Sequence, residues 1–136
     1  MGGKSPNIVF EDANMDNAVL GVMAGIYAAC GQTCSAGSRL LLQRSIYDQF
    51  LEKLAERTRK IVLGDPSDWN TEVGPLVSRA QLEKVQYYVG IAQEEGASVM
   101  LGGKQPDNEK LKKGFFYLPT VLTDVKNEMR VAREEV

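Results

Sequence analysis

Apolar residues along this chain follow two rhythms, short continuous runs and three-to-four-residue repeats, and these predict strands and helices in turn. Asn7-Ile8-Val9-Phe10 is a short apolar run between a proline and an acidic pair, which predicts a buried strand. Asp12 or Asn14 is placed to cap the helix that follows, in which Met15, Val19, Val22, Met23, Ile26 and Tyr27 recur at helical spacing. Gly21, Ala24, Gly25, Ala28 and Ala29 fill its other faces. A helix apolar or small nearly all round is expected to be buried. Gly31 supplies its stop and leaves Cys34 just beyond.

Arg39-Leu40-Leu41-Leu42-Gln43 predicts a second buried strand. Ser45 with Asp48 resembles a capping box, opening a helix to about Lys60 with Ile46, Tyr47, Phe50, Leu51 and Leu54 inward. A turn-rich loop runs from Gly64-Asp65-Pro66 through Trp69 to Gly74-Pro75. Ser78 with Gln81 is a second capping box, starting a helix that turns Leu82, Val85, Val89 and Ala92 inward and ends at Gly96. Ala97 to Leu101 predicts a third strand, closed by Gly102-Gly103. Lys104 to Gly114 is a polar surface loop, and Phe115 to Val125 is extended, with Pro119 marking an edge or a bulge. Met129 to Val136 forms no closed element. The alternation of strands and helices predicts an α/β fold, a mostly parallel open sheet with flanking helices, in one domain at most.

The 136 residues are 43% hydrophobic and 25% charged, the make-up of an ordinary soluble domain. A net charge of −2 gives no reason to expect nucleic acid, which calls for clustered basic surface. No apolar run approaches the ~20 residues that cross a bilayer, so no membrane partner is expected. No signal-peptide segment follows Met1 to Pro6, and two cysteines four positions apart make no secreted disulfide framework. A cytoplasmic setting is the expectation.

Cys34 carries the candidate chemistry. It sits in Gly31-Gln32-Thr33-Cys34-Ser35-Ala36-Gly37-Ser38-Arg39, where small residues leave room for a substrate and let the backbone approach a developing oxyanion. The attacking species of such a residue is the thiolate. The chain holds no histidine, so a base is a carboxylate or lies elsewhere. The preceding helix would not activate the thiol, because a helix C-terminus disfavours an anion. The competing reading is a buried thiol serving as a small hydrophobe. Cys30 and Cys34 would share a face on a continuous helix, which leaves a thiol redox pair as an alternative, although the usual motif has two intervening residues. A metal site needs two further ligands, and none is expected. Gly2-Gly3-Lys4 and Gly102-Gly103-Lys104 lack the spacing of a phosphate loop or a dinucleotide fingerprint and read as turns. A non-catalytic folding or interaction unit, self-associating through exposed apolar surface, is the third reading.

Several stretches, in order, resemble the NAD(P)-dependent aldehyde dehydrogenase family. Gly2 to Phe10 resembles the segment that follows that family's catalytic glutamate. Tyr27 and Gly31 to Arg39 resemble its cysteine signature. Gly64-Asp65-Pro66 and Glu72 to Ser78 resemble its next motifs, and Arg130 to Val136 resembles the lead-in to its Glu-Glu-x-Phe-Gly-Pro motif. The resemblance implies that Cys34 is the nucleophile, forming a thiohemiacetal and then a thioester, and that its backbone N–H is one oxyanion donor. It implies that Glu135 holds the nicotinamide ribose, that Gln81 and Lys84 lie near the cofactor, NAD or NADP, and that the substrate is a small-molecule aldehyde. It further implies that residues 1–136 are part of the catalytic domain of a longer, homo-oligomeric oxidoreductase. The dinucleotide-binding domain and the general-base glutamate then lie outside this chain, which would be inactive alone. Ala29 stands where many relatives carry asparagine, which bears on substrate preference.

Overall fold

The computed structural model describes residues 2–136, which fall into two compact units, residues 2–60 and Ile61–Val136. In the first unit the chain runs β1 (Pro6–Val9), α1 (Met15–Tyr27), β2 (Arg39–Leu42) and α2 (Tyr47–Thr58). β1 and β2 pair in parallel, with Pro6 opposite Arg39 and Val9 opposite Leu42. This is the parallel strand–helix–strand unit that the alternating pattern predicts. Of the two cap candidates, Asn14 is the one used: its side-chain oxygen accepts the Asn17 N–H at 3.0 Å. The core of this unit comprises Val9, Val19, Val22, Ile46, Phe50, Leu54 and Ala55, with α1 packed on α2.

Three expectations for this unit are corrected. α1 is not buried all round; Val19 and Val22 are buried, but Leu20, Gly21, Ala24 and Gly25 are exposed. β1 is not a buried strand throughout. Val9 points inward, whereas Ile8 and Phe10, on the alternate side, are exposed, as is Leu41, the register partner of Ile8. Side chains alternate across a strand, and only one face of this two-stranded sheet is covered within the unit. Ser45 does not cap α2. A short 3-10 turn, Arg44–Ile46, precedes the helix, and the Ser45 hydroxyl donates to the Glu11 carboxylate at 2.6 Å instead. A carboxylate is the stronger acceptor, and its hydrogen bonds, with Ser45 first and Gln43 next, hold the Glu11 pKa below its usual value.

The second unit contains α3 (Arg79–Glu94), β3 (Ser98–Leu101), β4 (Val121–Thr123) and α4 (Arg130–Arg133). The loop before α3 is tied by its own side chains. Asp65 accepts from the backbone N–H and hydroxyl of Ser67, Asp68 accepts from Asn70, and Glu72 accepts the Val62 N–H at 2.8 Å. Ser78 caps α3, its hydroxyl accepting the Gln81 N–H at 3.2 Å. The reciprocal arm of the box is not made, because the Gln81 side chain is engaged elsewhere. Leu82, Val89 and Ala92 are buried as the spacing predicts, and so is Tyr88, which the spacing does not single out.

β3 and β4 pair antiparallel, unlike the first sheet, with a bulge between Val99 and Leu101. β3 ends at Gly102 and Gly103, both left-handed (φ 75° and 73°), where a Cβ on Gly102 would collide with the Pro119 carbonyl. Pro119 lies outside the ladder, as its missing N–H requires. The closing residues do form an element, the single helical turn α4. Met129, just before it, packs with Ala92 and Ala97 and against Leu122 and Val131.

Phe50 is fully buried, whereas Phe10 is 62% exposed. Phe50→Ala is therefore expected to lower unfolding free energy by about 3–5 kcal/mol, and Phe10→Ala by well under about 1 kcal/mol. Urea unfolding of the two variants checks this; equal losses would contradict the core as described.

Candidate active site

The cysteine segment begins where α1 stops. After Tyr27 the chain places three successive residues in the left-handed region: Ala29 (φ 49°), Cys30 (φ 57°) and Gly31 (φ 72°). Glycine adopts this conformation freely, but each residue bearing a Cβ gives up roughly 1–2 kcal/mol there. The turn is closed by Gln32, whose backbone N–H and side-chain amide both donate to the Ala29 carbonyl, at 3.1 and 3.3 Å. Cys30 and Cys34 are thus not on one continuous helix, as a shared face would require. Neither cysteine is in a disulfide; Cys30 is half-buried and Cys34 is exposed. The reading of Cys34 as a buried hydrophobe does not hold.

A second turn presents the thiol. The Ala36 N–H donates to the Thr33 carbonyl at 3.0 Å, which puts Cys34 and Ser35 at its two central positions. Behind it, Ala36 is buried and the Gly37 N–H donates to the Gly25 carbonyl of α1 at 3.0 Å. The bonds of this turn use the N–H groups of Ala36, Gly37 and Ser38 and leave that of Cys34 out. Two close approaches fix the loop from below. A Cβ on Gly37 would sit 3.2 Å from the Asn7 amide nitrogen, and one on Gly3 would sit 2.6 Å from the Cys34 carbonyl oxygen. The Gly3 segment is itself held, because Arg39 donates through Nε to the Lys4 carbonyl at 2.7 Å and through its backbone to Ser5.

The other candidate residues lie in the second unit. Glu134 is the hub. Its carboxylate accepts two bonds from the Arg130 guanidinium, at 2.9 and 2.8 Å, and one from the Tyr88 hydroxyl at 2.7 Å. Arg130 also donates to the Tyr87 hydroxyl and lies over both tyrosine rings, and its backbone N–H donates to Glu95. The Arg130 bonds first, and the Tyr88 bond next, hold the Glu134 pKa at about 2, down from 4.5. The same carboxylate pushes the Tyr88 phenol up, and Arg130 is pushed up in turn. Glu135 follows, exposed, and no bond of this cluster uses its carboxylate. Gln81 donates through its side-chain amide to the Val136 carbonyl at 3.0 Å, and Lys84 is exposed one turn further along α3. The structure thereby brings Gln81 to the Glu135 segment. Tyr88, Arg130 and Glu134 were not singled out by sequence pattern; the spacing of Arg130 and Glu134, four apart, was the available signal.

The chain thus carries an exposed thiol on a tight turn of a parallel strand–helix–strand unit. The model of the aldehyde dehydrogenase family matches residues 1–136, and the chain belongs to that family. It is 50% identical to betaine aldehyde dehydrogenase of Mesorhizobium japonicum over all 136 residues and 47% identical to that of Brucella ovis. It spans 28% of the length of each of those curated relatives. A crystal structure of betaine aldehyde dehydrogenase from Staphylococcus aureus in complex with NAD+ superposes with a TM-score of 0.97 at 46% identity, covering 99% of this chain and 27% of that one.

Because the Glu134 pKa is depressed on folding, its contribution to stability is present above about pH 4.5 and is lost as pH falls toward about 2. Glu134→Gln is expected to flatten the stability profile across that window. Urea midpoints between pH 2 and 6 check this; parallel profiles for the two proteins would contradict the assignment.

Proposed function

We propose that this chain supplies the nucleophile and part of the cofactor site of an NAD+-dependent aldehyde oxidation. One observation carries the reading: in a chain of this family, Cys34 is exposed at the centre of a turn whose backbone is fixed on both sides. The Cys34 thiolate forms a bond to the aldehyde carbon, and the carbonyl electron pair moves onto oxygen. The Cys34 N–H, uncommitted in its turn, donates to that oxyanion, and Ser35, Ala36 and Gly37 leave space for the tetrahedral carbon. The thiol proton passes to a carboxylate or to water, since the chain offers no imidazole.

The residues present fit a nicotinamide dinucleotide. Glu135 holds out a carboxylate not consumed by the neighbouring cluster, an acceptor suited to the paired hydroxyls of a ribose. Lys84 stands exposed near the start of α3, three residues beyond Gln81, whose amide is bonded to the Val136 carbonyl. When bound, such a cofactor supplies the hydride acceptor that turns the adduct into a thioester. NAD+ is preferred over NADP+ because the Staphylococcus aureus relative is described in complex with NAD+. That enzyme has also been solved with a BME-modified cysteine, which supports an accessible, reactive thiol in this family. Betaine aldehyde, named in the relatives, is the substrate to assay first.

Grafting these 136 residues into the Mesorhizobium japonicum relative, in place of its own matching stretch, tests the reading. The graft is expected to form NADH from betaine aldehyde, and Cys34→Ala to lower that rate by about 10⁴-fold or more. Cys30→Ala is expected to retain turnover. Undiminished activity in Cys34→Ala would overturn the proposal.

A further inference from the structure

Glu135 is bracketed by two residues that are tied to the same helix. Glu134, before it, is held by the Tyr88 hydroxyl, and Val136, after it, by the Gln81 amide. Tyr88 and Gln81 are seven residues apart, two helical turns, and so lie along one stripe of α3. Between the two anchors the backbone leaves helical geometry at Glu134 (φ −103°, ψ 147°). Glu134 is turned onto the helix by its bond to Tyr88, whereas Glu135 is exposed. Two further bonds stop the segment from rotating about these anchors: the Glu134 N–H donates to the Arg130 carbonyl at 2.8 Å, and the Arg130 N–H to Glu95 at 2.8 Å.

We propose that Tyr88 and Gln81 are positioning residues for Glu135. By fixing the residues on either side they aim its carboxylate and so set affinity for the ribose of the dinucleotide. The inference rests on the reading of Glu135 as the ribose contact. It gives Gln81 a role through the backbone, its amide nitrogen being already committed to Val136. Arg130, with Tyr87 beneath it, serves by holding Glu134 in the orientation that Tyr88 reads.

The grafted full-length protein provides the test, with NAD+ dissociation constants measured by calorimetry for Tyr88→Phe, Gln81→Met and Glu135→Gln. Tyr88→Phe keeps the buried ring and removes only the hydroxyl; Gln81→Met keeps the length and removes the donor. Each is expected to weaken NAD+ binding by about five- to twentyfold, the order set by losing a charge-assisted or aimed contact. The rate of Cys34 alkylation by iodoacetamide without cofactor is expected to stay unchanged. That second readout separates positioning from general loosening, which would move both. If Glu135→Gln weakens NAD+ binding while Tyr88→Phe and Gln81→Met do not, the positioning role is overturned and the ribose contact stands. If Glu135→Gln leaves NAD+ binding unchanged, both fall. A change in alkylation rate that parallels the affinity loss also overturns the proposal.

Discussion

Three consecutive left-handed residues, Ala29, Cys30 and Gly31, are the constraint on which the first unit turns. An α-helix that continued past Tyr27 would carry Cys34 along its own axis, with the main-chain N–H groups committed to helical bonds. The left-handed turn ends that ladder abruptly, and the chain re-enters as a tight turn with Cys34 at its crest. Only Gly31 adopts this conformation without cost, so Ala29 and Cys30 hold a strained backbone that the surrounding bonds must over-determine. The surrounding structure does so: Gln32 closes on Ala29, Gly37 on Gly25, and the Gly3 backbone packs against the Cys34 carbonyl.

The second unit solves a different problem. A carboxylate that is to meet a polar ligand has to stay exposed, yet an exposed side chain on an unanchored segment samples many directions. Here the cost of order falls on the neighbours. Glu134 takes Arg130 and Tyr88, Val136 takes Gln81, and Glu135 remains open between them. Surface ion pairs contribute little individually, so the value of the Arg130–Glu134 pair lies in its forked geometry and its two tyrosine partners rather than in its charge alone.

Much of this was legible in the sequence. The helix caps at Asn14 and Ser78, the inward stripe of α3 and the small residues around Cys34 are local features, and local chemistry decides them. What was not legible depended on long-range partners. Ser45 looks like a cap until Glu11 competes for its hydroxyl, and α1 looks buried all round because small residues do not reveal which face a neighbour covers. Met129 to Val136 carries too few apolar residues to show a period, and side-chain bonds from Arg130 hold α4 beside the packing of Met129 and Val131. No α-helix separates β3 from β4, and the two pair antiparallel, whereas strand–helix alternation alone suggests a parallel partner.

The account stands on Cys34 being the atom that bonds to substrate. The most direct measurement is peptide mapping by mass spectrometry of the grafted full-length protein, quenched during turnover of betaine aldehyde with NAD+. The account predicts an acyl adduct on the peptide containing Cys34, localised to that residue and missing when either aldehyde or NAD+ is withheld. An adduct on Cys30 instead, or turnover with Cys34 unmodified at every quench time, would contradict it.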